Sequence, residues 1–145
     1  MARPFGTKKI ETPELMWELF EKYQSDIKDN PIIVKDWVGA QAVQVYREKE
    51  RPLTMEGFEN FVFSSGFNAD LAHYFAQTNE SYKDYFTICS RIKQIIRQNQ
   101  IEGGMAGIYN PSITQRLNNL VEKTQSEVIN TPPLFPDVPK NDSNQ

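Results

Sequence analysis

Pro31 and Pro52 bracket a stretch whose residue pattern differs from that on either side of it. Ahead of it, Met16, Leu19, Phe20, Tyr23 and Ile27 recur at three- and four-residue steps, which lines up one apolar face of an α-helix. Thr12-Pro13-Glu14 is a start signal for that helix. Thr serves as N-cap, Pro takes the first helical position, where an N–H is not needed, and a carboxylate lies near the positive end of the helix dipole. Asn30-Pro31 stops the helix, because a proline disfavours helical backbone in the residue before it. Trp17 lies beside the apolar stripe and is expected to pack in the core.

Between the prolines, Ile32-Ile33-Val34 and Ala42-Val43-Gln44-Val45-Tyr46 are β-branched or aromatic segments on either side of Gly39-Ala40-Gln41, a pattern that predicts a β-hairpin over 32–51. Its second strand runs into Arg47-Glu48-Lys49-Glu50-Arg51, so a continued strand puts alternate basic side chains on one face. Either that leg touches a phosphate backbone or it is a surface ribbon of alternating charge.

Helical spacing resumes after Pro52. Thr54 caps a short helix whose Phe58, Phe61 and Val62 point one way, Gly66 breaks it, and Asn68 caps a second short helix, 68–77, with Leu71, Ala72 and Phe75 inward. This is the spacing of a helix-turn-helix, and equally of an ordinary αα-corner. The second helix offers Asn68, His73 and Gln77 for contact with DNA but no Arg or Lys, so the commonest specific contact, arginine to guanine, is not available there.

A longer helix is predicted over 81–101, where Tyr85, Cys89, Ile92 and Ile96 form a stripe flanked by Ile88 and Ile95. Two apolar directions suit packing on the preceding helices and on a neighbouring copy; a single broad core face explains the pattern nearly as well. Gly103-Gly104 is expected to end or bend this helix, and the small residues of Met105-Ala106-Gly107-Ile108-Tyr109 let backbones approach closely. A last helix, 112–123, carries Ile113, Leu117, Leu120 and Val121 on an edge too narrow for a core of its own, so it must dock on something. Beyond Thr124, Pro132, Pro133, Pro136 and Pro139 surround Leu134-Phe135, which reads as a disordered tail with a short apolar plug.

The fold class is therefore mainly α: a helical N-terminal region with a helix-turn-helix-like pair and a β-hairpin, then a helical oligomerisation hairpin and a tail. The divisions are a flexible arm over 1–11, a helical region with the hairpin at 32–51 over 12–80, a second helical region over 81–123 and a disordered tail over 124–145. A chain of 145 residues accommodates one such unit.

Composition limits the chemistry. One cysteine, Cys89, cannot form an internal disulfide, and with one histidine, His73, there is no Cys/His set for zinc. The glycines of Glu102-Gly103-Gly104-Met105-Ala106-Gly107 lack the Lys-Ser/Thr ending of a phosphate loop. No cofactor and no catalytic residue is expected, and the chain reads as a non-enzyme. It lacks an apolar run of membrane-spanning length and an apolar segment behind the basic N-terminus, so a soluble protein that stays in the cytoplasm is expected. The net charge of −3 argues against indiscriminate coating of nucleic acid. Charge is uneven, however: residues 52–82 hold no Lys or Arg against four Asp or Glu, whereas residues 83–123 hold six against three. Any electrostatic footprint lies on the N-terminal arm, on 47–51, or on the helix with Arg91, Lys93 and Arg97.

Three stretches taken together resemble a known family. They are Ile10-Glu11-Thr12-Pro13-Glu14-Leu15-Met16-Trp17, Arg51-Pro52-Leu53-Thr54-Met55-Glu56-Gly57-Phe58 and Gly103-Gly104-Met105-Ala106-Gly107-Ile108-Tyr109-Asn110-Pro111. In this order and near these separations, the chain is similar over about 10–124 to the small terminase (DNA-packaging) subunits of tailed bacteriophages. The resemblance implies that 12–80 is a helical DNA-binding domain, that 81–123 is an oligomerisation region assembling copies into a ring, and that a C-terminal segment engages the large ATPase-nuclease subunit. The partners it implies are viral double-stranded DNA, the terminase large subunit and further copies of the chain, with no membrane, in the cytoplasm of the infected bacterial host. The expected phosphate contacts are Arg3, Lys8 and Lys9 on the arm and Arg47, Lys49 and Arg51 on the hairpin. Tyr85, Ile88, Ile92, Ile95, Ile96, Ile113, Leu117 and Leu120 are expected at oligomer contacts, and Leu134 and Phe135 at the large subunit or portal. A helix-turn-helix transcriptional regulator, which would be a dimer on a palindrome, and a structural adaptor of a viral assembly that ignores DNA are the rival readings.

Overall fold

A computed structural model describes residues 8–68 and 70–120 of the chain. The element order is α1 (Pro13–Asp29), β1 (Ile32–Val38), β2 (Val43–Lys49), α2 (Met55–Ser64), α3 (Ala72–Ala76), a 3-10 turn (Glu80–Tyr85), α4 (Phe86–Met105) and α5 (Pro111–Leu117). The protein is mainly helical with one two-stranded antiparallel hairpin, as the apolar spacing predicts.

The Thr12 hydroxyl caps α1 by accepting the Leu15 amide at 3.2 Å, and Asn30 closes the other end through its amide and its side chain, both bonded to the Asp26 carbonyl. Met16, Leu19, Phe20 and Tyr23 are buried along one face. They meet Phe58 and Val62 of α2, with the Phe20 and Phe58 rings edge to face at 5.3 Å, and the core continues through Leu71, Tyr74, Tyr85, Cys89, Ile92 and Ile96. Trp17 is half-buried at the core's edge and donates to Glu21 at 2.9 Å.

Residues 8–11 are not a free arm. Lys8 pairs with Phe67 in a parallel bridge and its carbonyl accepts the Asn68 amide at 2.8 Å. Ile10 is buried, and its carbonyl accepts from both the Tyr74 and the Tyr85 hydroxyl, at 3.2 and 2.9 Å. Burial pushes both tyrosine hydroxyls above their ordinary pKa.

Three helices end on the same device, in which a left-handed residue beyond the C-cap redirects two amides onto the last turn. At α2 it is Gly66 (φ +91°), with Gly66 N–H on Phe63 O and Phe67 N–H on Val62 O. At α4 it is Gly107 (φ +74°), with Gly107 N–H on Gly104 O and Ile108 N–H on Gly103 O. At α5 it is Asn119 (φ +53°), with Leu120 N–H on Gln115 O.

These caps correct several expected boundaries. Gly103 and Gly104 do not end α4; they are buried inside its last turn, because the Tyr109 ring and the Thr114 side chain lie against them where a Cβ would project. The last helix stops at Leu117 rather than reaching 123, since Asn118 is buried and donates to Gln100 Oε1 and Thr114 O. The first turn of the predicted 81–101 helix is 3-10, and α4 begins at Phe86. The second short helix is a single turn, 72–76 instead of 68–77, because the amide of Asn68 bonds to Lys8 and its side chain accepts the Asp70 amide in a turn.

β1 pairs with β2 in register from Ile32 opposite Lys49 to Val38 opposite Val43. The connection is residues 39–42, with Gly39 and Ala42 left-handed (φ +78° and +48°), so the first strand is longer than predicted and takes in Trp37. No residue of either strand is buried. The hairpin stands off the helical body, held at its feet: Arg51 Nε donates to Asn30 O at 2.9 Å, Leu53 N–H to Asn99 Oδ1 at 2.9 Å, and Gln100 Nε2 to Leu53 O at 2.8 Å.

Candidate nucleic-acid and assembly surfaces

The candidate DNA-contact residues fall into two groups at opposite ends of α1. Lys8, Lys9, Asn68, His73 and Gln77 belong to the end fixed by Ile10, and Arg47, Lys49 and Arg51 to the end fixed by Asn30. Seventeen helical residues separate these ends, about 25 Å at 1.5 Å per residue. They do not form one patch. Arg3 lies outside the described residues.

At the first end the Lys8, Asn68 and His73 side chains already have local partners. Lys8 lies over the Phe67 ring at 4.9 Å. His73 Nδ1 pairs with Thr78 Oγ1 at 3.2 Å, its Nε2 is 3.6 Å from Asp70 Oδ2, and its ring stacks on Tyr82. Gln77 is left-handed and ends α3, whose last turn receives Lys93: Nζ is 3.4 Å from Phe75 O and sits over the Phe75 ring. The surroundings are acidic. Burial, with Glu56 and Asp70 nearby, holds the Glu59 carboxyl above the usual range. A one-turn helix with carboxylates beside it is a poor approach for a phosphate backbone.

The hairpin end is basic but largely engaged as well. Arg47 pairs with Asp36 at 2.9 Å, and Arg51 anchors the hairpin foot. Lys49 lines a cavity of about 240 Å3 with Ile32, Ile108, Ile113 and Leu117. Arg97 Nη1 donates to Asn118 O at 2.8 Å and ties α4 to the end of α5.

The strand register divides the hairpin into two faces. Val34, Asp36, Val38, Val43, Val45 and Arg47 share the face of Ile32 and Lys49, which borders the α5 cavity. Ile33, Lys35, Trp37, Gln44, Tyr46 and Glu48 are on the other. There Trp37 and Tyr46 are 57% and 68% exposed, with Lys35 Nζ over the Trp37 ring and Gln44 donating to the Tyr46 hydroxyl.

The predicted oligomer contacts separate by depth. Tyr85, Ile92 and Ile96 are buried in the chain's own core, and Ile88 and Ile95 pack against it. The stripe of Tyr85, Cys89, Ile92 and Ile96 is therefore one broad core face, and its four buried members present no surface to a second copy. Ile113, Leu117 and Leu120 are exposed, together with Met105 and Ile108, which sequence reasoning left off the surface. It also passed over Ile33, Trp37 and Tyr46. The available signal was the adjacent apolar pairs Ile32-Ile33 and Trp37-Val38, which put apolar groups on both faces of one hairpin. Leu134 and Phe135 lie outside the described residues.

Among the described residues no group of three or more His, Cys, Asp and Glu side chains could hold a metal ion, and no helix is long and apolar enough to cross a membrane. Cys89 is buried, and burial pushes its thiol pKa up to about 11. Compared with models of known protein families and with curated protein sequences, the chain matches none.

Proposed function

We propose that the chain is the small subunit of a phage DNA-packaging terminase: a non-catalytic protein that binds viral double-stranded DNA, assembles from several copies and recruits the large ATPase-nuclease subunit. The observation that carries this reading is that the three stretches of resemblance coincide with three structural joints. Thr12-Pro13-Glu14 caps α1, Thr54 caps α2 where the hairpin rejoins the body, and 103–111 builds the close crossing of α4 and α5. The outward apolar residues Ile108, Ile113 and Leu117 beside that crossing support assembly from copies.

DNA contact is assigned to the hairpin leg and to the basic residues before α1 rather than to a helix-turn-helix, because α3 is a single turn without a basic residue apart from His73. Many weak sites presented by one assembly add up to useful affinity. Titration with double-stranded DNA between about 50 and 200 mM salt tests the reading, since phosphate contacts make affinity fall steeply with salt. Alanine replacement of Arg3, Lys8, Lys9, Arg47, Lys49 and Arg51 together is expected to weaken binding and flatten that dependence. A multi-copy protein that ignores DNA even at low salt would instead be the structural adaptor.

A further inference from the structure

A two-stranded hairpin is marginally stable on its own in water, yet here both faces carry apolar side chains that the helical body leaves uncovered. The front face presents Ile33, Trp37 and Tyr46. At the foot of the back face, Ile32 joins Ile108, Ile113 and Leu117 around the cavity of about 240 Å3, so that the hairpin foot and α5 make one apolar corner.

We propose that the front face of the hairpin docks into this corner on a second copy of the chain, head to tail. This rests on the self-assembly part of the proposed function and names the surfaces that perform it.

Area and charge select the occupant. The front side chains Ile33, Trp37 and Tyr46 and the corner side chains Ile32, Ile108, Ile113 and Leu117, exposed by 38% at Ile32 to 68% at Tyr46, each uncover on the order of 400 Å2 of largely apolar surface, the size of patch that marks an interaction site. A standard interface buries about 1,600 Å2 in total, of which a little over half is apolar, so one front on one corner comes to the amount required. Copies joined in this way bury both surfaces in every internal copy. A face-to-face dimer would cover one and leave the other exposed. The front carries one basic and one acidic side chain, Lys35 and Glu48, and Lys49 and Glu50 line the corner beside its apolar groups, so each surface is balanced in charge, as the face of another copy of the chain requires. Because front and corner are different surfaces, the contact repeats from copy to copy until it closes.

The test uses full-length chain with two double variants, Trp37→Ser/Tyr46→Ser at the front and Ile113→Ser/Leu117→Ser in the corner, with native mass spectrometry as readout and circular dichroism to verify folding. All four positions are exposed; should either double variant melt early, the single Trp37→Ser or Leu117→Ser is read in its place. The expected result is that wild type is multi-copy, each variant alone is monomeric with self-association weakened at least about tenfold, and a mixture of the two gives a one-to-one pair, since one intact front still meets one intact corner. Variants that keep the wild-type assembly would overturn the inference and leave self-assembly standing. Monomeric variants that do not pair on mixing would overturn the head-to-tail arrangement. A monomeric wild type would overturn both the inference and the self-assembly it rests on.

Discussion

The Tyr23 hydroxyl donates to the Thr54 carbonyl and accepts the Thr54 amide, at 3.1 Å in each direction. One side chain of α1 thereby satisfies both backbone groups of the residue that caps α2. Tyr23→Phe keeps the ring that packs on Phe58 and Phe61 but removes both bonds. The Thr54 carbonyl still accepts from Phe58, whereas the amide loses its partner. The expected loss is about 1–3 kcal/mol, read as a lower urea midpoint with an unchanged slope.

A second prediction concerns the crossing of α4 and α5. Alanine in an open helix site would stabilise by roughly 0.5–1 kcal/mol over glycine. At Gly103 a Cβ would overlap the Tyr109 ring, and at Gly104 it would come within 2.8 Å of Thr114 Cγ2. Gly103→Ala and Gly104→Ala are therefore expected to destabilise, each by about 1–3 kcal/mol. Thermal melts check this. A Gly103→Ala protein that melts higher than wild type would show the crossing to be looser than described.

Cys89 gives a pH dependence with a definite sign. Its thiol keeps its proton in the folded chain up to about pH 11, against an ordinary value of 9.0. Below the lower value both states are protonated and the contribution is intact; between the two, the unfolded chain sheds a proton that the folded chain retains, so stability falls as pH rises. Tyr74 and Tyr85, also raised by burial, act in the same direction above 10. Urea midpoints between about pH 8 and about pH 11 should fall in wild type and fall less steeply in Cys89→Ala. In the native state at neutral pH, Cys89 should react slowly with thiol reagents.

Arg47 and Asp36 form an ion pair that is about half exposed. Such pairs contribute roughly 0–1 kcal/mol, so Arg47→Ala should leave the melting temperature nearly unchanged. Any loss of DNA affinity in that variant then reports a lost contact rather than a lost fold. Arg51→Ala differs, because Arg51 Nε holds the Asn30 carbonyl at the hairpin foot, and faster amide exchange in the strands is expected.

Element types were legible where the apolar spacing was regular and a side-chain cap stood at the start, as at Thr12 and Thr54. Ends were harder. Three stop on a left-handed residue followed by an apolar one, Gly66-Phe67, Gly107-Ile108 and Asn119-Leu120. Gly103-Gly104 imitates such a stop, and only the tertiary positions of Tyr109 and Thr114 reveal that those glycines serve close packing. The exposure of Ile113 and Leu117 was readable because a short helix has nowhere to bury an apolar edge. Tyr85, Ile92 and Ile96 were not, because periodicity locates an apolar face without saying which neighbour covers it. The separation of the basic residues by the length of α1 is likewise a property of the fold, invisible to spacing along the chain.

The hairpin leaves α1 at Asn30 and returns at Arg51, and those two residues are bonded to each other. The core closes beneath that junction without help from either strand, since none of their residues is buried. Residues 32–49 thus have the build of an interchangeable insert: lengthening, shortening or regrafting the ribbon is expected to change the surface it presents while the melting behaviour stays that of the helices underneath.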